Sequence, residues 1–266
     1  MKFNTRTVTL TMAALFQVAA VAQADVIAEY TAGHADIGLA NDGGGFLHYH
    51  FGTGAVLDGV TLAGEEEFAP ADAYVRVGDA GIVNLPNIPA YTSMLGVPAG
   101  TDVWIAPQTQ NPLLPFLGFA TEELDPSFGN VAFTLLSMTG PGQFALWATD
   151  AFGMPTVPGG TWGTVDGIDS SDSFSLPTGA HNHFNWGFTE AGLYQLAIRA
   201  ESQFGGLVDE GIFTFAVGDL TEGPQAVPEP STLLLCGLSA FGVGVQRLRR
   251  RKAKPIASPE TAPATP

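Results

Sequence analysis

Between residues 26 and 217 the chain repeats one pattern: a short run of alternating, β-branched or aromatic residues, then a break of Gly, Pro, Asn or Asp. About ten such runs stand out, at 26–30, 45–51, 73–77, 102–105, 131–137, 143–148, 172–176, 182–188, 193–200 and 211–217. A period of two sends successive side chains to opposite faces, as half-buried strands require. With 33 Gly and 19 Pro among 266 residues, about a fifth of the positions interrupt regular elements, and no convincing amphipathic helix emerges. The pattern predicts an all-β domain, an antiparallel β-sandwich of Ig-like or jelly-roll-like kind, and argues against alternating βαβ units. Thr139-Gly-Pro-Gly142 and Thr189-Glu-Ala-Gly192 read as hairpin turns between apolar strands. Residues 82–115 carry six prolines and read as a long excursion at the sheet edge, with one strand inside it.

Charge divides the chain into a body and two ends. Residues 25–229 hold 25 acidic side chains and only two basic ones, Arg76 and Arg199. A surface of that sign repels a phosphate backbone, which excludes nucleic-acid binding. The remaining basic residues sit at Lys2 and Arg6 and in the segment 247–254. Basic flanks around an acidic middle fit a chain exported across a membrane.

Residues 1–24 read as a signal peptide: a basic start, an apolar stretch over 12–21, and the small-x-small ending Ala22-Gln23-Ala24. At the other end Pro228, Glu229 and Pro230 lead into the apolar run 233–245 and the cluster of Arg247, Arg249, Arg250 and Arg251. The 16 residues 231–246 would make a helix of about 24 Å against a hydrocarbon core of about 30 Å, a marginal transmembrane span with a strong basic stop. The expected organisation is therefore a leader (1–24), an extracellular domain (25–223), a linker (224–230), a membrane helix (231–246) and a basic cytoplasmic tail (247–266). Cys236, the only cysteine, lies inside the apolar run, so the exported domain has no disulfide and no thiolate ligand.

This tail resembles the PEP-CTERM sorting signal of Gram-negative bacteria that make exopolysaccharide. The resemblance implies an exosortase-like processing enzyme as partner, an inner-membrane intermediate and removal of the tail near Pro228, Glu229 and Pro230. It further implies delivery to the cell surface or extracellular matrix, where an exopolysaccharide partner is compatible with it. The chain departs from the usual signal in continuing with residues 255–266 after the basic cluster.

All five histidines fall in i, i+2 constellations: His34 with Asp36, His48 with His50, and His181 with His183. Residues two apart on a strand share a face, so each pair offers two ligands to one side. Imidazole nitrogen with a carboxylate oxygen suits Zn, Cu or Mn. Singly, each pair also fits rings that hydrogen-bond backbone and fill space. Together the three make a shared metal site the working expectation, provided that the nitrogens of His34 and His181 lie within about 8 Å, since Zn–N bonds are about 2 Å long. Calcium suits the chain less: Asp166, Asp169 and Asp172 crowd one loop but lack the ligand order of an EF-hand.

The body resembles the choice-of-anchor M domain, a surface-protein module found with interchangeable C-terminal anchors. The likeness is carried by His34-Ala-Asp-Ile-Gly38, by Leu176-Pro-Thr-Gly-Ala-His-Asn-His-Phe-Asn-Trp-Gly-Phe188 and by Gly192-Leu-Tyr-Gln-Leu196. It spans about residues 27–215. Some relatives occur beside metal-type transport systems, so the resemblance implies metal capture with His34, His181 and His183 as ligands; it implies no catalytic residue.

Weaker signals complete the picture. Glu65, Glu66 and Glu67 read as an exposed acidic face. Trp104, Trp147, Trp162 and Trp186 fit core positions better than a sugar-stacking platform. The chain has no Gly-x-Ser-x-Gly elbow and no His-Glu-x-x-His motif. The expected protein is exported and non-catalytic and binds a divalent transition metal. The competing readings are a carbohydrate-binding or structural matrix module, and a metal-dependent hydrolase with Asp36 or Glu190 as base.

Overall fold

The computed structural model describes residues 27–41, 45–157 and 160–220. The expected leader, sorting motif, membrane helix and basic tail lie outside the described residues. In chain order the strands begin with β1 (Ala28–Asn41), β2 (Gly45–Phe51), β3 (Val56–Leu57), β4 (Val60–Thr61), β5 (Glu66–Phe68), β6 (Ala73–Val77) and β7 (Ile82–Asn84). The helix α1 (Pro89–Leu95) precedes β8 (Asp102–Ala106), β9 (Pro115–Ala120), β10 (Asn130–Thr139), β11 (Phe144–Trp147) and β12 (Trp162–Gly163). The last strands are β13 (Ser173–Pro177), β14 (His181–His183), β15 (Asn185–Phe188), β16 (Gly192–Ser202) and β17 (Val208–Val217).

The fold is all-β, with two sheets facing one core. The larger runs β13-β10-β16-β17-β6-β1-β2-β5, with β9 and β14 joined to it through β1. The smaller runs β12-β11-β15-β8-β7. Trp186 of β15 joins them: its ring stacks on Phe119 of β9 at 5.3 Å and on Phe215 of β17 at 5.2 Å, and its indole N–H donates to the Leu117 carbonyl. Trp162, Phe144 and Phe188 fill the same interior, while Trp147 and Ala145 face the other way, into a small cluster with Met94 and Leu95 of α1. Alternation along β11 thus supplies both layers.

Two expectations need correction. The ladder is not antiparallel throughout: β1 runs parallel to β6 and to β9, and β17 runs parallel to β6. The wholly antiparallel order of Ig-like and jelly-roll sandwiches is therefore not reproduced. The two supposed hairpin turns, 139–142 and 189–192, instead carry the chain across the core, since β10 and β16 lie in the larger sheet and β11 and β15 in the smaller. Local turn chemistry fixes a reversal, not the sheet in which the next strand lands. The tight hairpin among the described residues is elsewhere: Asp58 and Gly59, both at positive φ, join β3 to β4. The excursion over 82–115 holds β7, α1 and β8, with Pro89 opening the helix where a missing N–H costs nothing.

Strand β1 serves two ladders. Its first residues pair with β3 and β6, and from Gly33 onward it pairs with β9, with β2 joining at Ala35. Gly33 sits at the junction with φ +88°, where a Cβ would lie 2.7 Å from the Ala55 Cα and the Gly54 carbonyl oxygen. Gly33→Ala is expected to cost about 1–3 kcal/mol in thermal or denaturant unfolding, from left-handed strain plus overpacking.

Candidate metal site

Beyond Gly33 the strands order as β14-β9-β1-β2-β5, and their register aligns one row across five strands. His183 stands opposite Gly118, Gly118 opposite Asp36, Asp36 opposite His50, and His50 opposite Glu67. The neighbouring row on the same face runs His181, Ala120, Gly38, His48. Intervening residues Ile37, Tyr49 and Phe119 point into the core, so the histidine face is the outer one.

Three small residues make room on it. A Cβ on Gly38 would fall 2.8 Å from the His48 ring, one on Gly52 would fall 2.9 Å from His34 Nδ1, and one on Gly118 would fall 3.0 Å from His183 Nδ1. Imidazoles and a carboxylate therefore lie over backbone instead of standing clear of it. Phe116 stacks flat on His183, with ring centroids 3.6 Å apart, which fixes that ring's plane.

The structure sorts the six expected ligands into two groups. His34, His181 and His183 each present a nitrogen within 4.8 Å of the others, well inside the separation that sharing one ion allows. Asp36 lies against two of them, with Oδ2 at 3.3 Å from His34 Nε2 and Oδ1 at 3.9 Å from His183 Nε2. His48 and His50 form the second group, with Glu67 and Glu123. A single site using all six residues is thus replaced by two clusters. Glu67, Glu122 and Glu123 are not among the ligands expected from the sequence. The acidic run 65–67 is not merely a solvated face: Glu65 Oε2 lies 3.8 Å from His50 Nε2, and Glu67 pairs across from it. Glu122 and Glu123 follow β9, where buried Thr121 ties the chain to the Pro177 and Ala180 carbonyls at 2.7 and 3.0 Å. From there Glu122 reaches His181 Nδ1 at 3.0 Å and Glu123 reaches His50 Nδ1 at 2.9 Å.

Burial gives the face its electrostatics. Asp36 is 2% exposed, and burial pushes its carboxyl above the usual carboxylate range, with His34 pulling the other way. His183 is pushed down to about 4, first by burial and then by the charges of His34 and His181. It is neutral at pH 7, with a lone pair free to coordinate. Asp36 Oδ1 and both ring nitrogens of His48 and His183 are buried without a hydrogen-bond partner among the described residues. Buried polar atoms are nearly always paired, so five orphaned atoms on one face need a reason. Two ligand atoms on one tetrahedral zinc ion stand about 3.4 Å apart, given bonds of about 2.0–2.1 Å. The contact of 3.3 Å between His34 and Asp36 has that spacing without being a hydrogen bond. A cleft of about 190 Å³ opens over the face, lined by His34, Asp36, His50, Glu65, Glu122 and Glu123 among others.

Other expected features fall away from this face. Asp172 is buried and accepts the backbone N–H groups of Gly163 and Asp169 at 2.7 and 2.9 Å, so it locks a turn. Trp147, Trp162 and Trp186 are core, and Trp104 donates to Asp79. Glu190 sits in the turn between β15 and β16 against Tyr194.

The described residues define an all-β domain with an outer imidazole–carboxylate face whose clusters could hold a metal ion. Residues 226–251 match the PEP-CTERM protein-sorting motif, a stretch that includes Pro228, Glu229, Pro230 and the arginine cluster. A signal of this kind implies export, exosortase-type processing and a membrane-associated intermediate before display at the cell surface. That match does not reach the body, and none of the comparisons supports the likeness to choice-of-anchor M modules. No curated protein and no solved structure matches the chain.

Proposed function

We propose that the exported domain binds a divalent transition metal ion, Zn, Cu or Mn, through His34, His181, His183 and Asp36, and that it acts at the surface or in the matrix by capture, without catalysis. The observation that carries this reading is the convergence of three imidazoles from β1 and β14, two of them beside the buried Asp36 carboxylate, whose Oδ1 is unpartnered among the described residues. Export supports it, because a capture protein must meet its ion outside the cell, and so does the resemblance to choice-of-anchor M modules. Three core tryptophans leave little platform for stacking sugars, which counts against a carbohydrate-binding role.

The test is metal uptake by the full chain, purified in detergent and stripped with chelator. Zn²⁺ is expected to bind at micromolar concentration or below, and H181A/H183A is expected to remove that binding event. A chain that takes up none of Zn²⁺, Cu²⁺ or Mn²⁺, or a double variant with unchanged uptake, refutes the reading.

A further inference from the structure

We infer that the same face carries a second, independent metal site, formed by His48, His50, Glu67 and Glu123. It goes beyond the proposed function and does not rest on it. One ligand atom from each of these four residues lies within 4.8 Å of all the others. The decisive member is His48. It is 2% exposed, and neither ring nitrogen has a hydrogen-bond partner among the described residues. Glycine at position 38 leaves the space that its ring fills. Its Nε2 faces Glu123 Oε1 at 3.5 Å, too poorly aligned for a hydrogen bond but close to the edge of a tetrahedral coordination shell, about 3.4 Å. The same Glu123 oxygen lies 2.9 Å from His50 Nδ1, so one carboxylate oxygen faces both imidazoles.

This group cannot share the first ion. His183 on β14 and His50 on β2 are three strand spacings apart, about 14 Å between backbones at about 4.8 Å per strand, whereas metal–ligand bonds are about 2 Å long. The donor sets also differ. Three imidazoles with Asp36 suit Zn²⁺ or Cu²⁺; two imidazoles with two carboxylates shift the preference toward harder ions, Mn²⁺ as well as Zn²⁺. Two glutamates neutralise a divalent charge, and Glu65 stands beside His50 as a further acceptor. His50 and Glu123 line the cleft, so an ion entering from solvent meets this group directly.

Zn²⁺ titration of the chelator-stripped full chain, followed by calorimetry and elemental analysis, tests the inference. The unaltered chain is expected to take two equivalents, H50A/E123Q one, and H181A/H183A one. If H50A/E123Q loses its far-ultraviolet spectrum, E123Q alone decides, since that side chain is on a loop and keeps its shape; it is expected to weaken one binding event about tenfold or more. An ion that survives H181A/H183A and vanishes in H50A/E123Q supports this site even where the first reading fails. Binding of no ion, or of a single ion unaffected by H50A/E123Q, overturns it.

Discussion

Asp36→Asn is expected to stabilise the metal-free protein and to disable its first ion site. Both effects come from one atom's surroundings. The Asp36 carboxylate is buried, and Oδ1 has no partner among the described residues. Asparagine keeps the shape and removes the charge, and its amide can donate to a neutral imidazole such as that of His34, 3.3 Å away in the native protein. Relief of a buried charge with one oxygen left unpartnered contributes about 1–3 kcal/mol. Because burial raises the native pKa of Asp36, the charged form opposes folding. The gain is therefore fullest above the native pKa. It shrinks as pH falls and vanishes below about 4, where aspartate is protonated in the unfolded chain as well. Zinc affinity moves the other way, by about 100-fold or more, beyond what loss of a partner outside the ligand set usually costs. Chemical unfolding at pH 7 and pH 4 with chelator present, together with zinc titration, reads both. A variant that is less stable at pH 7 and binds zinc as tightly would make Asp36 a structural residue.

The opposite signs explain which parts of this fold could be read from the sequence. Strands β2 and β6 carry a clear alternation and are legible to the residue. The second half of β1 and the whole of β9 are not, because the site erases the pattern. Alternate positions of β1 are His34, Asp36 and Gly38, two polar and one empty, and those of β9 are Phe116, Gly118 and Ala120. The glycine and alanine there leave room for neighbours on other strands, so β9 reads as an apolar run after a proline. The histidines were visible because i, i+2 spacing survives without knowledge of pairing. Glu122 and Glu123 were not, since they extend from the end of an unseen strand, and Glu67 acquires meaning only from its register opposite His50. The parallel pairs were hidden for a related reason: β1 meets β6 and β9 only after the chain has left and returned, and no local signal encodes that return.

Gly118→Ala is expected to damage fold and site together, and the geometry says why the damage cannot be absorbed by a rotamer change. Gly118 lies between Asp36 on β1 and His183 on β14 in the register. An added methyl group would overlap Asp36 Oδ1 and would stand 2.8 Å from the Asn182 carbonyl oxygen and 3.0 Å from His183 Nδ1. A side chain such as Asp36 can turn away, at the loss of its position as a ligand. The Asn182 oxygen is backbone, so β14 itself must move from β9, taking His181 and His183 with it. Overpacking of this kind costs about 1–3 kcal/mol and lowers the midpoint of a domain this size by about 2–4 °C per kcal/mol. The displacement of two imidazoles should weaken zinc binding by about 10–100-fold, while the ion held by His48, His50, Glu67 and Glu123 stays bound. Gly64→Ala is the matched control, because a Cβ there meets nothing within 4 Å; its effect on the midpoint and on zinc uptake should be near zero. Equal behaviour of the two variants would mean that the close approach across Gly118 does not hold the ligands, and the first site would lose its physical basis.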